Sequence, residues 1–164
     1  MRNPLEKIQA RKVAIARKLA LAGFHVFPLL PNSKRPAIKN WPELATTDPD
    51  YVGGWWLDNP DYNIGIHTKG MLVVDLDPKY NGPENWANLV ETQSILGNDT
   101  PATMTVRTPS GGSHLYFRLP EGVEMGNTVH KLGPGIDTRG KGGYVVAPGS
   151  TIDGKTYEVV DGEA

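Results

Sequence analysis

The chain has 164 residues, 38% hydrophobic and 21% charged, an ordinary balance for a globular fold with a real core. It holds no cysteine, which excludes disulfides, thiolate nucleophiles and the usual cysteine-built zinc sites. Net charge is −1, yet residues 1–39 carry nine of the 17 basic residues and one acid, Glu6, a local balance of +8 against −9 for the remainder. That split suits a phosphate-contacting basic segment beside an acidic body, and equally a solvated basic helix face. No apolar run approaches the roughly 20 residues of a membrane span. "MRNPLEKIQARK" lacks the apolar stretch of a signal peptide, so a cytoplasmic chain without a membrane partner is expected.

In chain order, "NPLEKIQARKVAIARKLALAG" predicts an amphipathic helix. Asn3 can cap it, Pro4 suits its first turn, and Gly23 suits the position just past its end. Leu5, Ile8, Ile15, Leu19 and Ala22 share one face at helical spacing, with the charges expected elsewhere. "FHVFPLL" reads as a strand, "PNSKRPAIKNWPE" as a proline-broken loop, and "TDPDYVGGWWLDN" as a short helix capped by Thr47 or Asp48. "YNIGIHT" and "GMLVVDLD" are strands divided by a tight turn at Lys69–Gly70. A helix from Pro83 to about Leu96 stops at Gly97. "ATMTVRT", "SHLYFRL", "GGYVVAPG" and "TYEVV" make the last third strand-rich, so the fold class is α+β. One domain over residues 1–164 is expected, with the polar ending "DGEA" read as the point where a longer parent protein continues. Trp41, Trp55, Trp56 and Trp86 read as core residues, and His25, His67 and His130 as structural.

"GMLVVDLDPKY" carries the first chemical signal. Positions two apart share a strand face, so Asp75 and Asp77 join Met71 and Val73, while Leu72, Val74 and Leu76 take the other side. Two adjacent carboxylates repel unless a cation or donor lies between them. A plain capping role before Pro78 accounts for Asp77 and leaves Asp75 unexplained. Asp137, in "GPGIDTRGKGGYVVAPGS", is a third carboxylate, or else a turn aspartate. Three converging acids would suit Mg²⁺ or Mn²⁺, and two such ions roughly 4 Å apart serve displacement at phosphorus. In "TPSGGSHLYFRL", His114, Tyr116 and Arg118 share one face and Leu115, Phe117 and Leu119 the other. The apolar face is expected on the core and His114 on an open face. The "SGGS" turn exposes N–H groups to an anion, and Arg139 and Lys141 can reach one anionic group.

Asp-x-Asp ending a strand, Gly-Ser-His opening another and Ile-Asp before a Gly-rich strand resemble the archaeo-eukaryotic primase superfamily in order and spacing. Within it, "KRPAIKNW", "NIGIHT", "VVDLD", "TPSGGSHLYF" and "DTRGKGGYVVAPGS" are similar to the primase–polymerase (prim-pol) domain of phage and plasmid replication proteins, from about Ala20 to Ser150. The resemblance implies an α/β module beside an RRM-like module with the active site in the cleft between them. It implies DNA-dependent nucleotidyl transfer that extends or synthesises primers: a 3′-hydroxyl attacks the α-phosphate of an NTP or dNTP, and pyrophosphate leaves. Asp75, Asp77 and Asp137 would be the catalytic acids holding two Mg²⁺ or Mn²⁺ ions. His114, Ser113, Arg139 and Lys141 would bind the nucleotide, and Lys34, Arg35 and Arg107 would touch DNA or phosphate. Template and primer DNA, nucleoside triphosphates and a fused or associated replicative helicase are the implied partners. The family often has Ser two residues before its histidine, where this chain has Gly112. Some relatives carry a cysteine zinc element that this chain lacks, so extending a primer is expected over starting one. The residues leave other readings open: a noncatalytic RRM-like single-strand nucleic-acid-binding module, or a metal-dependent nuclease sharing the same acids. A rolling-circle nickase would want a His-x-His that does not occur.

Overall fold

The protein is described from a computed structural model covering residues 3–97, 102 and 104–162. The side chains of Leu5 and Ile8 on the expected helix face, Thr103 of the "ATMTVRT" run, and Glu163 and Ala164 of the terminal "DGEA" lie outside the described residues. Among those residues the helices are α1 (Pro4–Leu21), α2 (Trp41–Leu44), α3 (Pro49–Asp58) and α4 (Gly82–Ile95). The strands are β1 (His25–Leu29), β2 (Asn63–His67), β3 (Met71–Leu76), β4 (Met104–Arg107), β5 (Ser113–Arg118), β6 (Ile136–Arg139) and β7 (Tyr144–Val146). Three more close the chain: β8 (Thr151–Ile152), β9 (Lys155–Thr156) and β10 (Glu158–Gly162). The expected α+β class holds. Two compact units divide the chain, one built from the residues up to His67 with Tyr144–Tyr157, the other from Thr68–Gly143 with β10.

In the first unit, α1 begins and ends as its sequence dictates. Glu6 Oε2 accepts the Asn3 N–H at 3.1 Å. Gly23, at φ +94°, lets its own N–H reach the Ala20 carbonyl and the Phe24 N–H reach that of Leu19. The helix buries Ala16, Leu19 and Ala20, and against expectation it buries Lys12 as well, 6% exposed. The Lys12 ammonium donates to Asn63 Oδ1 and Thr151 Oγ1, each at 3.1 Å, and to the Asp61 carbonyl at 3.4 Å. Three acceptors match its three N–H groups, which is what makes a buried lysine tolerable. Burial pushes its pKa below the usual lysine value, with the Asp61 carboxylate opposing.

Strands β1, β2 and β7 form an antiparallel sheet in the order β1-β2-β7. Gly65 lies opposite Phe27, and a Cβ there would meet the Phe27 ring at 2.6 Å. Trp41 stacks on that ring at 4.9 Å, with Tyr144 and His67 edge-on to Trp41, so Trp41 and His67 have the packing roles expected of them. Asp48 caps α3 by accepting from the Asp50 and Tyr51 N–H groups, and buried Trp56 donates to the Tyr62 carbonyl.

The second unit is an antiparallel sheet in the order β10-β4-β5-β3-β6. One face packs Leu72, Val74, Leu76 and Ile136 together, with Trp86 from α4 and Leu115, Phe117 and Leu119 against them. The other face corrects an expectation. His114 is 6% exposed rather than open to solvent, and its neighbours on that face, Val73, Met104, Val106 and Tyr116, are buried with it. No helix among the described residues is long and apolar enough to cross a membrane.

Candidate active site

Asp75 sits near the end of β3, the strand between β5 and β6. Its register partners are His114 on one side and Asp137 on the other. Directly opposed residues share a face with Cβ atoms about 4.5–5.5 Å apart. Three polar side chains therefore stand in a row across β5, β3 and β6. The Asp75 carboxylate Oδ1 lies 3.7 Å from His114 Nε2, a half-open carboxylate beside a buried imidazole.

Arg139 joins them. It shares the Asp137 face two residues on, and its guanidinium lies 3.8 Å from Asp137 Oδ2. Asp137 Oδ1 in turn accepts the His130 N–H at 3.0 Å. The sequence marks His130 only as structural, and its hydrogen bond to Asp137 adds a link to the site. The feature that could have drawn notice to it is a histidine just ahead of the glycine-rich turn that leads into Asp137.

Asp77 follows β3 directly. Its N–H donates to the Gly135 carbonyl at 2.8 Å, tying the end of β3 to the approach to β6. Its Oδ1 accepts the Lys79 N–H at 2.8 Å and caps the 3₁₀ turn Pro78–Tyr80, so one carboxylate oxygen does the capping work. Ser113 pairs with Leu76 and Arg107, which turns Ser113 and Arg107 to the face away from His114. Arg107 lies 3.9 Å from Glu158, and Lys141 donates to Glu124 at 2.7 Å, both exposed pairs. Lys34 and Arg35 are exposed in a loop of the first unit. Among the described residues no group of three or more His, Asp or Glu side chains is gathered to hold a metal ion. The three acids expected to converge do not form such a group: register places Asp75 beside His114 and beside Asp137, Arg139 lies by Asp137, and Asp77 caps the following turn.

The family model of the bifunctional DNA primase/polymerase N-terminal domain matches residues 16–164. The chain belongs to the prim-pol family. No curated protein matches it. Prim-pol membership makes it a domain of the DNA primase/polymerase class, whose substrates are DNA and nucleotides. The match encloses the stretch from Ala20 to Ser150 over which the sequence resemblance runs.

Against the prim-pol pattern, Gly112 has a steric reason. A Cβ at this position would collide with the Leu76 carbonyl oxygen and lie 3.0 Å from Pro78 Cδ. The Thr108 N–H bonds the Gly112 carbonyl and the Gly111 N–H bonds that of Thr108, holding the turn against the end of β3. A serine at position 112 has no room in this turn.

Proposed function

We propose that Asp75 and Asp137, flanked by His114 and Arg139, form a nucleotidyl-transfer centre that extends a primer on a DNA template. The juxtaposition of the two acids across β3 and β6 carries the reading. Such a pair is unfavourable alone and favourable around a cation. Mg²⁺ commonly takes one or two carboxylates and completes its shell with waters and substrate phosphates, so two oxygen donors fit it without a preformed cage. Mn²⁺ accepts the same hard ligands.

Asp75 and Asp137 would hold the divalent ions, two in the family's arrangement, with Asp77 contributing the carboxylate oxygen that does not cap Lys79. Bound there, the ions would offset triphosphate charge and favour ionisation of the attacking hydroxyl. His114 would orient the triphosphate on the same sheet face, and Arg139 would balance its charge beside Asp137. Lys141 would add a looser phosphate contact. No protein nucleophile is needed, because phosphoryl transfer depends on positioning and charge neutralisation.

Primer extension with ribo- and deoxyribonucleotides, each with Mg²⁺ and with Mn²⁺, tests the reading beside Asp75→Asn. Lengthened primers from the wild type and none from the variant are expected. Full extension by Asp75→Asn would remove the metal assignment. Shortened strands would identify a nuclease.

A further inference from the structure

His130 holds one of the rare non-glycine backbone conformations with positive φ, +53°. Left-handed backbone at a residue with a Cβ persists where the surroundings impose it, and it gathers at functional sites. Here it permits two hydrogen bonds at once. The main-chain N–H donates to Asp137 Oδ1 at 3.0 Å, and the ring Nδ1 accepts the Gly135 N–H at 2.8 Å. Nδ1 also lies 3.9 Å from Asp137 Oδ1, but its lone pair is committed to Gly135, so that approach is no ion pair. The neutral ring therefore carries its proton on Nε2. Tyr80 packs edge-on against it at 4.9 Å.

Gly135 passes the connection on. Its carbonyl accepts the Asp77 N–H, and the Asp77 carbonyl accepts the Gly82 N–H at 2.9 Å. Gly135 and Gly82 touch through their backbones: a Cβ on Gly135 would lie 2.7 Å from the Gly82 Cα, and one on Gly82 would strike the Gly135 carbonyl oxygen. Asn85 Nδ2 donates to the Pro134 carbonyl at 2.8 Å, steadying the same turn. Asp137's carboxylate and Asp77's backbone are thus both tied to one short loop, the first through the His130 N–H and the second through Gly135, which His130 also contacts.

We infer that His130 is a positioning residue for the cation site: it sets the Asp137 carboxylate and, through the Gly135 peptide, the placement of Asp77. The inference rests on the reading of Asp75 and Asp137 as a divalent-ion site. Groups that orient metal-binding carboxylates typically change metal affinity about 10–100-fold when lost.

The test measures Mn²⁺ binding to the nucleotide-free protein by the paramagnetic resonance of free Mn²⁺. His130→Gly keeps the left-handed backbone and the N–H toward Asp137 but removes the acceptor for Gly135. His130→Asn tolerates the same backbone and puts Oδ1 where Nδ1 was. The expected order is wild type and His130→Asn alike, with His130→Gly weaker by about 10-fold or more. Wild-type affinity in His130→Gly, or an equal loss in His130→Asn and His130→Gly, overturns the inference. Asp137→Asn is the reference: wild-type Mn²⁺ affinity in that variant removes the site itself, and the inference with it, by a pattern that the His130 variants alone do not produce. Nitrogen-15 resonance of the imidazole reads the tautomer without any metal, and a ring protonated on Nδ1 also overturns it.

Discussion

Asp75 and Asp137 are direct cross-strand partners on one face of the β3–β6 pair. Like charges so placed cost about 0.2–1 kcal/mol. Asp137→Asn should relieve that repulsion while keeping an acceptor for the His130 N–H. In chelator the variant should melt about 0.4–4 °C above the wild type, given about 2–4 °C per kcal/mol at this chain length. Mn²⁺ should raise the wild-type melting point and leave the variant's unchanged. Primer extension by the variant should fall about 100-fold or more. A variant less stable than wild type in chelator, or one stabilised equally by Mn²⁺, would contradict this.

His114 is buried with its Nε2 directed to within 3.7 Å of Asp75. His114→Ala should raise the nucleotide KM about tenfold or more, the scale of a lost hydrogen bond to a charged group, with a smaller change in kcat. Steady-state primer extension separates the two constants. A fall in kcat at unchanged KM would argue against a triphosphate contact.

Gly112→Ser puts a side chain into the tight turn ahead of β5. The collision of its Cβ with the Leu76 carbonyl should cost about 1–3 kcal/mol, lowering the melting point by about 2–12 °C. Differential scanning calorimetry checks it. A neutral substitution would show that the turn yields easily.

Lys12 gives a pH signature. Its folded-state pKa lies below the unfolded 10.5, so between the two values the unfolded chain binds more protons and stability rises with pH. Below that window the cost of burying the ammonium is present in full. Lys12→Met lacks this proton linkage, so the wild type should gain stability relative to the variant as pH rises from 7 toward 10.5. Urea midpoints at several pH values make the comparison, and curves that stay parallel would refute it.

Much of this was legible in sequence wherever one element carries its own signal. Asn3, Pro4 and Gly23 bracket α1, Asp48 caps α3, and the apolar run Leu72–Leu76 marks β3. What stayed hidden depends on neighbours in space. Helical spacing assigned Lys12 to a wet face by its charge, since Asn63 and Thr151, which satisfy it, lie far along the chain. Alternation within β5 separates the Leu115 and Phe117 face correctly, but nothing in it shows that the other face, which also carries Val73, Met104 and Val106, is buried too. Strand β6 has four residues and only Ile136 as an apolar marker, so its sequence leaves a strand and a glycine-rich turn both open at Asp137. Of the candidate site, the acids and His114 were visible as residue types, while the turning away of Ser113 is a matter of register. The role of His130 follows from a backbone angle that no residue pattern encodes.

The sheet β1-β2-β7 takes its third strand from residues 144–146, some eighty positions after its second. A chain emerging from the ribosome at about 5–20 residues per second makes β3 to β6 available before β7 exists. The two-stranded β1-β2 ribbon must wait for seconds with an unpaired edge, while four strands of the other sheet are already able to pair. The other sheet waits in the same way, since β4 gains its partner β10 only from residues 158–162, so translation order leaves each sheet with an open edge until residues 144–162 emerge.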